Sequence, residues 1–104
     1  MDNISFEWDT NKNINNIRKH SVSFEEAASV FFDENAVLFD DPIHSVGEER
    51  FLIIGLTTTS KICIVSHCYR GNDNIIRIIS ARKATKSERD IYFDGILGGY
   101  EDVR

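Results

Sequence analysis

Hydrophobic residues recur at two different spacings along this 104-residue chain, and the spacing changes near residue 36. Before that point, apolar residues fall three or four positions apart, as on one side of a helix. One such set is Phe24, Ala27, Ala28 and Phe31. After it, short apolar runs alternate with polar turn residues, which is typical of β-strands. The sequence therefore predicts helices first and a sheet second.

The N-terminal third is predicted to begin with a short strand over residues 4–7 and a helix over residues 10–20. Asp9 is placed to cap that helix, because a side-chain oxygen at this position can accept from a free backbone N–H. Ile14 and Ile17 are the apolar positions of the helix.

Two capping boxes predict where the other helices begin. In each, a hydroxyl and a Glu carboxylate three residues later satisfy two backbone N–H groups. The first box, Ser23–Glu26, opens a helix that is predicted to end near Phe32. The second, Thr85–Glu88, opens a closing helix that is predicted to run to about Phe93.

The region between these helices is predicted to form four strands, at residues 36–39, 51–57, 62–69 and 75–81. Their short polar links imply antiparallel neighbours, and hence a meander. The predicted fold class is α+β, a single domain over residues 1–104. Two N-terminal helices and a C-terminal helix are expected to group against one face of the antiparallel sheet. We expect the acidic tail, from about residue 95 to 104, to be mobile.

Composition removes several classes of protein. With 41% hydrophobic and 28% charged residues the chain is typical of a globular domain, and no apolar run approaches the roughly 20 residues that span a bilayer. The N-terminus carries acids where a secretory signal carries bases, so we expect a cytoplasmic protein. Cys63 and Cys68 are expected to be free buried thiols. Nucleotide-binding, acyl-transfer and zinc-binding motifs are absent from the sequence, and we predict no metal and no cofactor.

Positive charge is concentrated at one strand-to-helix joint, although the chain has a net charge of −5. The cationic residues that fall within thirteen positions there are Arg77, Arg82, Lys83, Lys86 and Arg89. Such a cluster is suited to holding a phosphate group, since Arg binds it as a planar fork and Lys as a point charge. Arg77 and Arg82 are five positions apart, so a regular strand would turn them to opposite faces.

Several candidate residues also have a simpler structural interpretation. Lys19 and His20 lie in the last turn of a helix, where positive charge suits the helix dipole. Arg50 can form an ordinary surface ion pair with the preceding glutamates, and Glu88 belongs to a capping box. His67 lies within an apolar strand and is expected to be a core histidine.

A set of Arg, Lys, His and Tyr side chains of this kind can bind a phosphodiester. If the substrate is RNA, its own 2′-OH supplies the nucleophile, and neither a metal nor a covalent intermediate is required. The protein then has to orient the 2′-OH, move protons and stabilise the extra charge on phosphorus.

Three segments together resemble the BrnT family of bacterial toxins: FEWDTNKNINNIRKHSVSFEEAASVFFD, HSVGEERFLIIG and IRIISARKATKSERDIY. They occur in the family's order and cover roughly residues 5–93. The resemblance implies a fold like that of RelE-type ribonucleases and a metal-independent RNase that inhibits translation. It also implies a BrnA-type antitoxin that binds the toxin and carries a ribbon-helix-helix element, through which the complex binds operator DNA.

The resemblance also assigns interest to particular positions, and with the basic joint it gives the following candidates. We predict Arg77 and Arg82 as phosphate clamps, Arg50 as their support, Lys19 or His20 in proton transfer, Tyr92 as an orienting group, and Lys83 and Arg89 as RNA-binding residues. Ser21 departs from the family pattern, which usually has Gly there. Glycine suits a helix end with positive φ, so the turn that places Lys19 and His20 is affected by this departure.

A second hypothesis treats the chain as a non-catalytic binding module, the toxin half of a complex that represses its own operon. The basic joint then recognises an acidic surface of the partner. Direct binding to duplex DNA fits less well, because no recognition helix with clustered basic residues is visible. RNA cleavage by the isolated chain separates the first two hypotheses.

Overall fold

Five β-strands and three α-helices make up residues 4–98, the part of the chain that this computed structural model describes. In chain order they are β1 (Ser5–Glu7), α1 (Thr10–His20), α2 (Phe24–Ser29), β2 (Val37–Asp40), β3 (Phe51–Leu56), β4 (Ile62–Arg70), β5 (Ile75–Lys83) and α3 (Lys86–Gly98). Short 3-10 turns follow α2 and β2, at Val30–Phe32 and Pro42–His44. The predicted α+β class is confirmed, and every predicted strand and helix is present.

The five strands form one sheet in the order β1-β5-β4-β3-β2. Strands β2 to β5 are antiparallel neighbours, which confirms the predicted meander. β1 lies parallel to β5, with Ser5 opposite Ile75, so the sheet is mixed and the prediction of a wholly antiparallel sheet is wrong. A three-residue strand carries too little pattern to reveal its partner, because that partner is set by where the chain returns seventy residues later.

The helices do not share one face of the sheet, so that prediction is wrong. α2 packs on one face, where Phe24 belongs to the same buried cluster as Val65. α3 packs on the other face, where Tyr92 contacts Ile54 and Ile64. Successive strand residues point to opposite faces, so the continuous apolar runs of β3 and β4 supply both clusters.

α1 meets the edge of β5 through an asparagine. β1 pairs with β5 only as far as Arg77, so no strand covers the outer edge of β5 at Ala81, whose other side pairs with β4. The Asn16 amide takes that place: its NH₂ donates to the Ala81 carbonyl at 2.8 Å, and its oxygen accepts from the Ala81 N–H at 3.1 Å. The same NH₂ donates to the Val22 carbonyl at 2.8 Å, so one buried side chain joins the helix, the following turn and the sheet.

The buried side of α1 is therefore polar, and its two apolar positions are not part of it. Ile14 and Ile17 are 48% and 45% exposed, whereas Asn16 is buried. Asn13 contributes on the same side by accepting from the Phe24 N–H at 2.8 Å. Hydrogen bonds between its asparagines and backbone groups hold this helix against the sheet. The spacing of hydrophobic residues gives no information about such bonds.

α3 is longer than predicted. It continues through Gly95 to Gly98, where the sequence suggested an end near Phe93. Residues 95–98 of the tail that was expected to be mobile are thus helical, and residues 99–104 lie outside the described part of the chain.

We expect Asn16→Ala to lower the free energy of unfolding by about 3 kcal/mol or more. Each buried backbone group left without a partner costs about 1–3 kcal/mol, and three such groups lose their bonds. Urea denaturation followed by circular dichroism measures the change. The control is Asn15→Ala on the same helix, whose side chain is exposed and, within the described part of the chain, accepts only from Arg18. A loss below about 0.5 kcal/mol for Asn16→Ala, the range of ordinary surface changes, contradicts the role of this amide.

Candidate active site

α3 covers only part of its sheet face and leaves a groove beside it. The floor of the groove is formed by Leu52, Ser66 and Ser80, which lie on three adjacent strands. Three adjoining clefts of about 340, 280 and 250 Å³ make up the groove, and Ser80 lines all three. The groove therefore runs as one surface from α1 to the 3-10 turn that follows β2.

Arg82 lies at the centre of the groove and lines two of the three clefts. Glu88 holds its guanidinium in a fork, with Nη1 to Oε1 at 2.8 Å and Nη2 to Oε2 at 2.9 Å. The Arg82 side chain is still 42% exposed. Its charge is therefore held in one orientation and remains open to a ligand.

Glu88 serves the helix and the groove at once. Its carboxylate accepts from the Thr85 N–H at 2.9 Å and its own N–H donates to the Thr85 hydroxyl at 3.2 Å, which confirms the predicted capping box. The hydrogen bond from Arg82, followed by the bond from the Thr85 backbone, lowers the pKa of Glu88 to about 2 against the opposing effect of burial. The same hydrogen bond raises the pKa of Arg82. The first turn of α3 and the main cation of the groove thus depend on one carboxylate.

A β-bulge decides which face Arg82 occupies. β5 contains one extra residue, Ile79, opposite β4. As a result Arg77 pairs with Cys68 and Arg82 pairs with Ile64, and these two partners are four positions apart on β4. Both arginines therefore lie on the groove side of the sheet, where a regular strand would separate them.

The end of α1 forms one wall of the groove. His20 lines the cleft around Arg82, and Lys19 lines the next cleft together with Lys12. Ser21 ends the helix with φ +59°, the left-handed conformation that glycine would adopt at lower cost. The helix end is intact with serine in that position.

The opposite wall consists of the 3-10 turn after β2 and the start of β3. Asp41, His44 and Arg50 line the cleft that includes Arg82. The Ser45 hydroxyl donates to the Asp41 carbonyl at 2.7 Å and accepts from the Arg50 N–H at 2.9 Å. The loop is closed on itself, so its side chains are held at fixed positions along the groove.

Arg77 lies farther along the same face, in a chain of alternating charges. Its guanidinium is 3.1 Å from Glu7, which is 3.7 Å from Arg70; Arg70 is 2.9 Å from Glu48, which is 3.9 Å from Arg50. This arginine–glutamate chain links β1, β5, β4 and the entry to β3. Arg77 is thus connected to the groove by charge, although it does not line the three clefts.

The structure does not bring Lys83, Arg89 or Tyr92 into the groove. Lys83 pairs with Cys63, whose side chain belongs to the cluster on the α2 face. The Arg89 guanidinium donates to the Ala84 carbonyl at 3.2 Å, at the start of α3. Tyr92 is buried beneath α3.

Tyr92 anchors α3 to the rest of the fold. Its hydroxyl donates to Asp33 Oδ2 at 2.7 Å, and this carboxylate also accepts from the backbone N–H groups of Asn35 and Leu56. Burial, together with the hydrogen bond to Asp33, raises the pKa of Tyr92 to about 12. Burial raises the pKa of Asp33, but its three hydrogen bonds outweigh that effect and leave it lowered.

His67 and both cysteines are core residues, as predicted. His67 is fully buried between aromatic rings, its Nε2 is 3.2 Å from the Tyr69 hydroxyl, and burial lowers its pKa to about 4. Cys63 and Cys68 are free and buried on opposite faces of β4. Burial raises the pKa of the Cys63 thiol to about 11, so this thiol is not a nucleophile at neutral pH.

Among residues 4–98, no group of three or more His, Cys, Asp or Glu side chains is placed to hold a metal ion. None of the helices in that range combines the length and the apolar character that a membrane span requires.

The fold and the groove together define a small α+β protein with a cationic groove on one open sheet face. The model of the family described as "Ribonuclease toxin, BrnT, of type II toxin-antitoxin system" matches residues 8–88, and the chain belongs to this family. The fold is also similar to the crystal structure of the Brucella abortus ribonuclease toxin BrnT, with a TM-score of 0.61 and 24% identity over 79% of this chain and 97% of that one. No curated protein sequence gives a significant match.

The sequence did not assign a functional role to Asp41 and His44, which line the groove, or to Glu88, which holds Arg82. Glu88 was interpreted as a capping residue because Thr85 lies three positions before it, and nothing local reveals that Arg82 returns to the same carboxylate. The spacing of Asp41 and His44 in the sequence could have indicated that their side chains meet. They lie three positions apart around a proline directly after a strand, which is a suitable geometry for a carboxylate to contact an imidazole.

We expect the stabilising effect of Glu88 to depend on pH between about 4.5 and 2. Above pH 4.5 the carboxylate is ionised in both the folded and the unfolded chain, so its bond to Arg82 contributes fully. As the pH falls, the unfolded chain takes up the proton first, and the contribution is lost by the time the folded carboxyl is protonated near pH 2. Denaturation of wild type and Glu88→Gln from pH 6 to pH 2 should give free energies of unfolding that converge. A difference that stays constant over this range contradicts the assignment.

Proposed function

We propose that this chain is a toxin that cleaves RNA in the groove centred on Arg82. The observation that carries the proposal is the position of this half-exposed guanidinium between two walls that also bear basic side chains, His20 and Lys19 on one side and Arg50 on the other. Such an arrangement suits a phosphodiester with one negative charge in the ground state and a second in the transition state.

The proposed reaction is attack of the ribose 2′-OH on the adjacent phosphorus. The 2′-oxygen forms a bond to phosphorus as the bond to the 5′-oxygen breaks, which leaves a 2′,3′-cyclic phosphate and a 5′-hydroxyl. Arg82 stabilises the phosphoryl oxygens and Arg50 supports it, while Lys19 or His20 takes part in proton transfer. These side chains perform no step that requires a metal ion, so the proposed mechanism is metal-independent.

Residues outside the groove have supporting roles in this proposal. Arg77 extends the cationic surface along the same face and binds the RNA backbone beyond the scissile bond. Lys83, at the end of β5, and Arg89, on α3, bind RNA outside the groove. Tyr92 is a positioning residue: by holding α3 against β3 it holds Glu88, and through Glu88 it holds Arg82. This replaces the predicted direct contact of Tyr92 with the scissile group.

The wider function is proposed from the family. We infer a RelE-like toxin fold and inhibition of translation through RNA cleavage in the cytoplasm. A BrnA-type antitoxin with a ribbon-helix-helix element neutralises the toxin by direct binding, and operator DNA is bound only by the complex. A type II toxin–antitoxin family implies an antitoxin partner, and its identity is the part proposed here.

The alternative is a non-catalytic module that serves as the toxin half of an autorepressing complex. One observation favours it: the arginines of the groove side already have carboxylate partners, as in Arg82 with Glu88 and Arg77 with Glu7. In this alternative the ion pairs are purely structural, and the isolated chain binds its partner without cleaving RNA.

Arg82→Ala should reduce RNA cleavage by the purified chain about 10²–10³-fold, as expected when one transition-state donor is removed. Gel analysis of a defined single-stranded RNA measures the rate, and EDTA should leave the wild-type rate unchanged. The control is Arg18→Ala, because Arg18 is exposed on α1 and its side chain hydrogen-bonds, among residues 4–98, to Asn15 alone. No cleavage by the wild type supports the non-catalytic alternative. Loss of activity with EDTA contradicts the metal-independent mechanism.

Co-expression with a neighbouring ribbon-helix-helix reading frame should restore growth that the toxin alone arrests. Direct binding is then checked by co-purification of the two chains, and operator binding by mobility shift with the antitoxin alone and with the complex. Growth arrest that persists although the two chains co-purify contradicts neutralisation by direct binding. Failure to co-purify contradicts the proposed partner.

A further inference from the structure

His44 and Asp41 form a carboxylate–imidazole pair at the rim of the groove. His44 Nδ1 lies 2.9 Å from Asp41 Oδ2 and 3.1 Å from Asp41 Oδ1. Asp41 is buried, whereas the His44 side chain is 66% exposed. A carboxylate at Nδ1 selects the tautomer that carries its proton there, which leaves Nε2 with a lone pair. Among residues 4–98, Nε2 of His44 has no protein partner.

The pair is held in place by backbone contacts on both sides. The Asp41 N–H donates to the Arg50 carbonyl at 3.0 Å, and the His44 N–H donates to the Asp41 carbonyl at 3.2 Å. Pro42 begins the 3-10 turn and restricts the backbone between the two side chains. The turn fixes the position of the His44 backbone, and Asp41 fixes the orientation of the imidazole ring, although the ring is exposed to solvent.

His44 faces the same space as the proposed phosphate clamp. The charged and titratable groups that line this cleft with it are Asp41, Arg50 and Arg82. His20 lines the adjoining cleft, and the two clefts share Arg82 and the floor. A phosphate bound at Arg82 is therefore flanked by one histidine on each wall of the groove.

We infer that His44 is a catalytic residue, the group that accepts the 2′-OH proton, and that Asp41 is its positioning residue. This inference rests on the proposed ribonuclease function. His44 Nε2 takes the proton as the 2′-oxygen bonds to phosphorus, and Asp41 stabilises the imidazolium that forms. The 5′-oxygen leaves with a proton from protonated His20. Solvent then takes the proton from His44 and returns one to His20, so no other reactant is consumed.

A purely structural role for this pair is a poor explanation of the geometry. A hydrogen bond to an imidazole that is 66% exposed adds only about 0.5–1.5 kcal/mol to stability. The turn is already fixed without the His44 ring, by the bonds of Ser45 and by the backbone bonds of Asp41. The ring instead occupies a cleft wall, where a group that moves a proton is required.

His44→Gln should lower the single-turnover rate of RNA cleavage about 10²–10⁴-fold, the usual contribution of a general base, with little change in RNA affinity. Affinity is measured with the same RNA carrying a 2′-deoxy sugar at the scissile position. Imidazole added to His44→Ala should restore part of the rate. Asp41→Asn keeps a hydrogen-bond acceptor at Nδ1 and should give a smaller loss in kcat with KM unchanged.

The matched control is Ile43→Gln, which changes a neighbouring residue that is 80% exposed and does not line the cleft. It should cleave RNA at the wild-type rate, and circular dichroism checks that each variant is folded. If Arg82→Ala is impaired while His44→Gln matches the wild type, the inference fails and the proposed function stands. If the wild type cleaves no RNA, both fail. A His44→Ala variant that is inactive and gains nothing from imidazole also overturns the assignment.

Discussion

The positions of the groove residues depend on the amide of Asn16. β1 ends too early to cover the whole edge of β5, and a single side chain satisfies both backbone groups of Ala81 there. Burying an amide is unfavourable unless its hydrogen bonds are made, so this contact defines one position of α1 along the strand. His20 lies one helical turn beyond Asn16, and Arg82 directly follows Ala81. A hydrogen bond that takes no part in chemistry thereby sets the spacing between two functional side chains.

The charges on the groove side follow a common arrangement, in which each arginine is oriented by a carboxylate of the same chain. Glu88 orients Arg82 from α3, and the arginine–glutamate chain connects Arg77 with Arg50. Such pairs add little stability at an exposed surface, but they restrict long side chains to one conformation. They also explain how an acidic protein can present a cationic groove, because many of its acids lie beside or behind the cations.

The sequence predicted what depends on neighbouring residues along the chain. The strand and helix types, both capping boxes and the α+β class follow from local spacing. The family motifs also drew attention to Lys19, His20, Arg50 and Arg82, which line the groove. The faces occupied by the helices, the polar contact of α1 and the parallel pairing of β1 follow from contacts between distant segments. Glu88 and Tyr92 illustrate the difference. Their helix was predicted correctly, but their partners Arg82 and Asp33 are specified only by the tertiary fold.

The extra residue at Ile79 has a consequence for how members of this family are compared. Because of it, two arginines at an odd separation in β5 reach the same surface, opposite residues four apart on β4. In a homologue without the extra residue, the two arginines must be four positions apart in the sequence to lie on the same face in the same way. Aligning such sequences by matching charged residues alone would hide this difference, whereas counting the residues between them makes it visible. The number of residues between the arginines, as much as their identity, thus indicates which members of the family conserve the geometry of the groove.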